Sequence, residues 1–282
     1  MTFTVEVPLR WGDMDAQGHV NNAGFVDYLQ EARVDFLLAS PFPYLLGGGI
    51  IVVNHQVEYR APISYSTEPV VVEVVVSATR AASFELAYTL SHDGVVAAVA
   101  RTRLCPYDFE AGAVRRLSAD EREFFASQVV DVDPLRELRR LPVDERAMVT
   151  PMRVRWSDLD SYGHVNNVKF FDYVQEGRIA FSEAVSTEMA RTRGDGTTDY
   201  LWMVVRQDVD YMTQLEFRME PYEVATGVTN VGRSSMSFCS EIRGDGTLYA
   251  RAATTVVCAD ATGRPVSIPE GWRHVLEPYV LG

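Results

Sequence analysis

The stretch "WGDMDAQGHVNN", residues 11–22, places two aspartates, a glycine, a histidine and two asparagines directly before a predicted helix. The chain repeats it as "WSDLDSYGHVNN" at residues 156–167. Between the longer segments 10–33 and 155–178, fifteen of twenty-four positions are identical. A repeat of this length indicates an internal duplication.

Weaker similarities extend the repeat over both halves of the chain. "VEYRAP" at Val57 corresponds to "VDYMTQ" at Val209, and an Asp-Gly turn recurs at Asp93 and Asp245. A chain of 282 residues is long enough for two domains with cores of their own. We therefore predict one domain over 1–108, a helical connector over 109–149 and a second domain over 150–282.

Each half has the pattern of a strand, one long helix and four further strands. Apolar residues at spacings of four, three and four predict one buried helix stripe per half, at Phe25, Leu29, Ala32 and Phe36 and at Phe170, Val174, Gly177 and Phe181. Asn21 and Asn166, with the asparagine after each, are predicted N-caps. The β-rich runs are 50–59, 70–79, 84–91 and 95–105, then 201–211, 222–231, 236–243 and 247–258. The predicted class is α+β.

Composition excludes several kinds of protein. A formal net charge of −13 argues against a nucleic-acid partner, which would require a basic surface. The three cysteines have neither the spacing of a disulfide framework nor that of a metal site, so we expect no metal ligands. The chain has no signal-peptide pattern and no apolar run approaching ~18 residues, so we predict a cytoplasmic protein without a membrane partner.

The repeated motif resembles that of a known family. D-x-D-x-x-G-H-V-N-N before the helix and F-x-x-Y-x-x-E-x-R inside it are similar to the hotdog-fold thioesterases of the 4-hydroxybenzoyl-CoA and acyl-ACP thioesterase branch. The resemblance implies two tandem hotdog domains that form a covalent pseudo-dimer, with the sheets edge to edge. Two such chains could assemble further into a homodimer.

The resemblance also implies catalytic residues. Asp15 and Asp160 match the catalytic aspartate of the family, which activates water or attacks the thioester carbonyl. Asn22 and Asn167 lie where the family has its carbonyl-polarising backbone amide. General chemistry agrees, because the free N–H groups at a helix N-terminus can stabilise an oxyanion.

The motif also departs from the family. Plant acyl-ACP thioesterases have an asparagine two residues after this aspartate, where the present chain has Gln17 and Tyr162. The extended catalytic network of the plant enzymes is therefore not assigned to this chain. Because Gln17 and Tyr162 differ chemically, we expect the two sites to differ in activity.

Other polar residues of the motif admit two interpretations. For Asp13 and Asp158, a structural role in stabilising a turn is the preferred interpretation over a role in the chemistry. His19 and His164 could orient the aspartate or the substrate, or could tie the loop to the helix.

The helix of each half and the turns after it contain further candidates for catalytic and substrate-binding residues. Glu31 and Glu176 suit a solvated helix face but are second candidates for the catalytic carboxylate. The predicted substrate-binding residues comprise two tyrosines that could line an acyl tunnel or pack in the core, and two arginine–serine pairs near the expected carrier path: Tyr28, Tyr173, Arg80, Ser83, Arg233 and Ser235. His55 lacks a counterpart in the second half and favours a structural role.

Hydrolysis of an acyl-CoA or acyl-ACP thioester to a free acid and a thiol is the leading functional hypothesis. It requires no metal or redox cofactor. The alternatives are an acyl-thioester binding module without turnover and a hotdog hydratase or dehydratase. The last fits less well, because the Asp-x-Asn-Pro-x-His arrangement of that class is absent.

Overall fold

The computed structural model describes residues 1–186, 189 and 200–282. The chain divides into two compact units, Met1–Arg136 (unit 1) and Glu137–Gly282 (unit 2). The predicted connector over 109–149 is thus divided between the two units, and the limits at 108 and 150 stay predictions.

Unit 1 packs one long helix on an antiparallel sheet. Its described elements are β1 (Phe3–Val7), α1 (Gly24–Ala39), α2 (Tyr44–Gly48), β2 (Ile50–Tyr59), β3 (Val70–Thr79), β4 (Phe84–His92), β5 (Val95–Asp108), β6 (Ala113–Val114) and α3 (Ala119–Ser127). The strand order is β1–β3–β4–β5–β2, and each neighbouring pair is antiparallel. Helix α1 lies against β1 and β3.

Unit 2 repeats this arrangement. Its described elements are β7 (Met148–Met152), α4 (Lys169–Val185), β8 (Tyr200–Tyr211), β9 (Tyr222–Val231), β10 (Ser235–Gly244), β11 (Thr247–Asp260) and α5 (Glu270–Leu276). The order β7–β9–β10–β11–β8 is that of unit 1 with each strand replaced by its repeat. Helix α4 lies against β7, β9 and β10.

Alternating burial explains why these runs form strands. In β3, Val72, Val74 and Val76 are buried, whereas Glu73 between them is exposed. Successive side chains of a strand point to opposite faces, so the valines form the core face. The predicted helix stripes are confirmed, since all eight of their residues are buried.

Local turn chemistry sets the ends of the elements. Asp93 and Asp245 both have positive φ, at 50° and 51°, as expected for Asp-Gly hairpins. Strand β1 ends at Val7, directly before Pro8, which has no N–H to donate to a ladder. The capping box at Ser118 and Glu121 is present at the start of α3.

Candidate functional site

Asp15 closes the repeated loop of unit 1 with its own carboxylate. Its Oδ1 accepts hydrogen bonds from the N–H groups of Gln17 (2.8 Å) and His19 (3.2 Å). The Asp15 N–H donates to the His19 carbonyl at 2.7 Å, and Gly18 turns the chain with a φ of 79° that suits glycine. Both side-chain bonds use Oδ1, so within the described residues Oδ2 has no hydrogen-bond partner.

The second loop has the same geometry around Asp160. Its Oδ1 accepts from the N–H groups of Tyr162 (2.9 Å) and His164 (3.3 Å), and its N–H donates to the His164 carbonyl at 2.8 Å. Gly163 has a φ of 80°. No described residue donates to Oδ2 of Asp160 either. Both aspartates therefore combine one restrained oxygen with one that is open to a ligand.

The other aspartate of each loop is tied to the helix. The Tyr28 hydroxyl donates to Asp13 Oδ2 at 2.7 Å, and the Tyr173 hydroxyl donates to Asp158 Oδ2 at the same distance. Burial raises the pKa of Tyr28, and the hydrogen bond to Asp13 raises it further. The structural interpretation of Asp13 and Asp158 is thus supported, and both tyrosine hydroxyls already have a partner.

The predicted N-caps are wrong by one or two residues. Helix α1 has Ala23 as its N-cap, α4 has Val168, and neither makes a side-chain cap. Asn21 instead accepts from the Ala23 N–H through Oδ1 (3.1 Å) and from the Gly24 N–H through its carbonyl (2.8 Å). The side chain therefore stabilises a turn just before the helix, because Asn readily bonds a backbone N–H two residues on.

The backbone N–H groups of Asn22 and Asn167, just before the two long helices, make no hydrogen bond to the residues that the structure describes. The Asn22 carbonyl accepts from the Tyr59 hydroxyl at 2.9 Å, and the Asn167 carbonyl accepts from the Tyr211 hydroxyl at 2.8 Å. The backbone N–H of neither asparagine donates a hydrogen bond to the described part of the chain. Sequence reasoning missed both tyrosines, although the repeated "VEY" and "VDY" contain them.

The remaining catalytic candidates, two in the loops and two on the helices, differ in exposure. His19 forms a backbone bridge to Ser64 and is half-buried, so its backbone ties the loop to the segment after β2. His164 bridges to Glu216 in the same way. Both helix glutamates, Glu31 and Glu176, are exposed. Catalytic roles for these four residues stay predictions.

The arginine–serine pairs lie at the far end of the sheet from the loop of their own unit. Arg80 and Ser83 form the turn between β3 and β4, where the Arg80 N–H donates to the Ser83 carbonyl. Val70, at the other end of β3, pairs with Val7 just before the loop. Thr79 lies nine residue steps along β3 from Val70, which is about 30 Å. Arg233 and Ser235 occupy the same turn in unit 2, so neither pair joins the aspartate of its own unit.

A cleft of about 560 Å³ lies elsewhere on unit 1. It is bounded by Glu73 and Val75 of β3 and by residues 130–136. Glu73 alternates with the core valines, so the cleft is on the face of the sheet opposite α1. None of the predicted site residues lines it.

The described residues contain neither a cluster of metal ligands nor a membrane-spanning helix. No group of three or more His, Cys, Asp or Glu side chains in them could hold a metal ion. No helix among them is long and apolar enough to cross a membrane. What each repeated loop does offer is an open carboxylate oxygen and, seven residues further along the chain, an unbonded backbone N–H.

A family profile described as the thioesterase-like superfamily matches residues 9–139 and 154–276. The chain belongs to the thioesterase-like superfamily. The match in two tandem segments confirms the internal duplication and the hotdog fold that the motif predicts. Membership supports thioester hydrolysis as the general class of activity.

Individual relatives agree with this assignment. A curated protein from Aquifex aeolicus named "Putative esterase" is 28% identical over 111 residues, which are 37% of this chain and 84% of that protein. The crystal structure of an "oleoyl thioesterase (putative)" from Lactobacillus plantarum has a TM-score of 0.72 at 14% identity, with 96% of this chain and 98% of that chain covered. The 12:0-ACP thioesterase from Umbellularia californica has a TM-score of 0.70 at 16% identity and coverages of 92% and 98%. These two structures show the fold alone.

Proposed function

We propose that the protein hydrolyses acyl-CoA or acyl-ACP thioesters to a free acid and a thiol, with Asp15 and Asp160 as base or nucleophile. One observation carries the proposal. In both loops the aspartate has one oxygen fixed by two backbone N–H groups and the other without a partner among the described residues. A fixed carboxylate with an open oxygen suits a group that must meet a substrate in one orientation.

The chemistry follows from the groups in the loop. The thioester carbonyl accepts a hydrogen bond from the unbonded N–H of Asn22 or Asn167, which stabilises the negative charge on its oxygen. Oδ2 of the aspartate then removes a proton from water as the water oxygen bonds to the carbonyl carbon, or Oδ2 attacks that carbon itself. The C–S bond breaks, and in the first route the leaving thiolate takes up the proton that the aspartate removed, whereas in the second it takes up a proton from water. In the second route, water hydrolyses the resulting anhydride.

The two sites are not equivalent. Gln17 is exposed, whereas Tyr162 is half-buried at the matching position. Burial raises the pKa of Tyr162, and the charge of Asp160 acts in the same direction. A neutral phenol beside Asp160 gives that site a different polarity from the amide at the Asp15 site. We expect unequal turnover, with the Asp160 site slightly favoured because its motif resembles that of the acyl-ACP thioesterases more closely.

Substitution of both aspartates tests the proposal. We expect Asp15→Asn and Asp160→Asn each to abolish one site, and the double variant to lose on the order of 10²-fold or more in thiol release from palmitoyl-CoA. Asp120→Asn, at an exposed carboxylate in α3, is the matched control. If the double variant keeps the wild-type rate, the assignment is wrong, and Glu31→Gln with Glu176→Gln then tests the helical carboxylates.

The same assay separates the alternatives. Hydration of crotonyl-CoA without thiol release would indicate a hydratase. Binding of acyl thioesters with neither reaction would indicate a binding module. Comparing palmitoyl-CoA with palmitoyl-ACP distinguishes the carrier, and the net charge of −13 weakly disfavours an acidic carrier protein.

A further inference from the structure

Four polar side chains meet in the interior of unit 1, between α1 and the sheet. Arg33 of α1 is 5% exposed and Tyr88 of β4 is 2% exposed, while His55 of β2 and Thr102 of β5 are fully buried. Arg33 Nη1 lies 3.5 Å from His55 Nε2, and His55 Nδ1 lies 2.9 Å from Thr102 Oγ1. We call these four residues the interior cluster.

The positive charge of the cluster lacks a compensating carboxylate. Within the part of the chain that the structure describes, no Asp or Glu oxygen lies within 4.0 Å of the Arg33 guanidinium. Arg206 in unit 2 is equally buried, and its Nε lies 2.5 Å from Asp208 Oδ1. Burying an unpaired charge is costly, so buried charges in proteins are normally paired. Arg33 departs from that rule.

The cluster also has more donors than acceptors. The Tyr88 hydroxyl is buried and makes no hydrogen bond of ordinary geometry to the described residues, although Arg33 and Thr102 lie close enough to interact with it. Burial raises the pKa of Tyr88, although contacts with Arg33 and Thr102 act against this, so the hydroxyl keeps its proton. Arginine adds five N–H donors and no acceptor. The group that would complement these donors is an anion with two acceptor oxygens.

We propose that the interior cluster binds the carboxylate of a fatty acyl ligand, with Arg33 and Tyr88 donating to its oxygens. A carboxylate neutralises the guanidinium and supplies acceptors in the bidentate geometry that arginine favours. The surrounding core of α1 and the sheet is apolar and suits the acyl chain.

The position of the cluster sets the length of the ligand. His55 lies four residues from Tyr59, which contacts Asn22, and this is about 13 Å of strand. Arg33 lies nine residues from the start of α1 at Gly24, again about 13 Å. A zigzag chain of roughly ten carbons spans that distance. Leu29 and Val57, both fully buried, occupy the path, so binding requires them to move.

Unit 2 provides an internal comparison. At the equivalent strand positions of unit 2, Gln207 replaces His55 and Ser240 replaces Tyr88. Thr254 occupies the position of Thr102. All three are buried and uncharged. Arg178, the repeat of Arg33, is only half-buried. The site for a carboxylate is therefore specific to unit 1.

Ligand binding tests the site without relying on the proposed thioesterase activity. We expect wild-type protein to bind dodecanoate at least tenfold more tightly than dodecan-1-ol in calorimetric titration. Tyr88→Phe and Arg33→Met should each weaken dodecanoate binding at least tenfold, and Arg178→Met should not. The Tyr88 hydroxyl makes no hydrogen bond of ordinary geometry to the described residues, so the ligand-free Tyr88→Phe variant should keep a melting temperature close to that of wild type. Equal binding of acid and alcohol, or unchanged binding by both variants, would overturn the proposal.

A second arm, which rests on the proposed function, identifies the source of the carboxylate. Dodecanedioyl-CoA and dodecanoyl-CoA differ only in the carboxylate at the far end of the chain. If that carboxylate is the ligand, Tyr88→Phe lowers kcat/KM for dodecanedioyl-CoA alone. If the free acid product is the ligand, Tyr88→Phe changes both thioesters equally and weakens inhibition by dodecanoate. Either result supports the site, whereas unchanged kinetics and unchanged inhibition together contradict it.

Discussion

Tyr173 donates a 2.7 Å hydrogen bond to Asp158, across the fifteen residues that separate the repeated loop from the second turn of α4. Asp158 Oδ2 also accepts from the Arg155 N–H at 2.9 Å, so a single carboxylate oxygen joins the start of the loop to the helix. Tyr28 and Asp13 repeat this bond in unit 1.

We predict that Tyr28→Phe or Tyr173→Phe lowers the free energy of unfolding by about 1.5–3 kcal/mol, because each removes a hydrogen bond to a carboxylate. Urea denaturation would measure the change. Tyr65→Phe is the matched control, since Tyr65 is exposed and packs against Trp11 without using its hydroxyl. Wild-type stability in Tyr28→Phe would show that this bond does not hold the loop.

Tyr59→Phe should slow catalysis at the Asp15 site without unfolding the unit. The Tyr59 hydroxyl fixes the Asn22 carbonyl and hence the peptide beside the amide proposed to polarise the substrate. In an Asp160→Asn background, where only the Asp15 site acts, we expect kcat to fall on the order of tenfold with little change in KM. Tyr211→Phe in the same background is the control. A change in KM alone would assign Tyr59 to substrate binding.

Glu121 in α3 should make the stability of unit 1 depend on pH. Hydrogen bonds from Arg115 lower the pKa of Glu121 to about 2, and the Ser118 N–H and the Tyr44 hydroxyl act in the same direction. Because the folded pKa is depressed below its ordinary value of 4.5, this stabilisation is present above pH 4.5. It is lost as the pH falls towards 2.

The corresponding variant is Glu121→Gln. Hydrogen bonds to a charged group are worth about 1.5–3 kcal/mol, so we expect a loss of that order at pH 7 and a smaller one at pH 3. Thermal unfolding at the two pH values would measure it. Asp120→Asn, at the exposed neighbouring acid, should show no such dependence. An equal loss at both pH values would rule out charge as the cause.

Gly177→Ala should destabilise unit 2, although alanine normally favours a helix. A Cβ at Gly177 would lie 2.5 Å from Val224 Cγ1, so β9 or α4 must shift. We expect a loss of about 1–3 kcal/mol. In Gly271→Ala the new Cβ meets nothing within 4 Å, so that control should be neutral or slightly stabilising. A stabilised Gly177→Ala would mean that α4 moves freely.

The sequence predicts those strands and loops whose structure depends on residues close together in the chain. The runs 50–59 and 70–79 coincide with β2 and β3, because alternating burial and local turns define such strands. It also locates the loop of Asp15, where the bonds span two to four residues.

Contacts between distant residues could not be predicted. The bond from Tyr59 to Asn22 spans thirty-seven residues, and the contact of Arg33 with His55 spans twenty-two. An arginine next to the apolar helix stripe looks solvent-exposed in sequence, and only the packing of α1 on the sheet buries it. The N-cap error has a local origin, because Asn21 satisfies a turn before the helix as readily as the helix itself.

The self-contained hydrogen bonding of the Asp15 loop has an evolutionary consequence. Its side-chain bonds are internal and join Asp15 to residues 17 and 19 and Asp13 to Tyr28, whereas most of its outside bonds, at residues 63 and 64, use backbone groups. Backbone bonds do not depend on side-chain identity, so the strands could diverge after the duplication while the loop stayed constant. It behaves as a transferable cassette, so a chimera with residues 155–178 in place of 10–33 should fold.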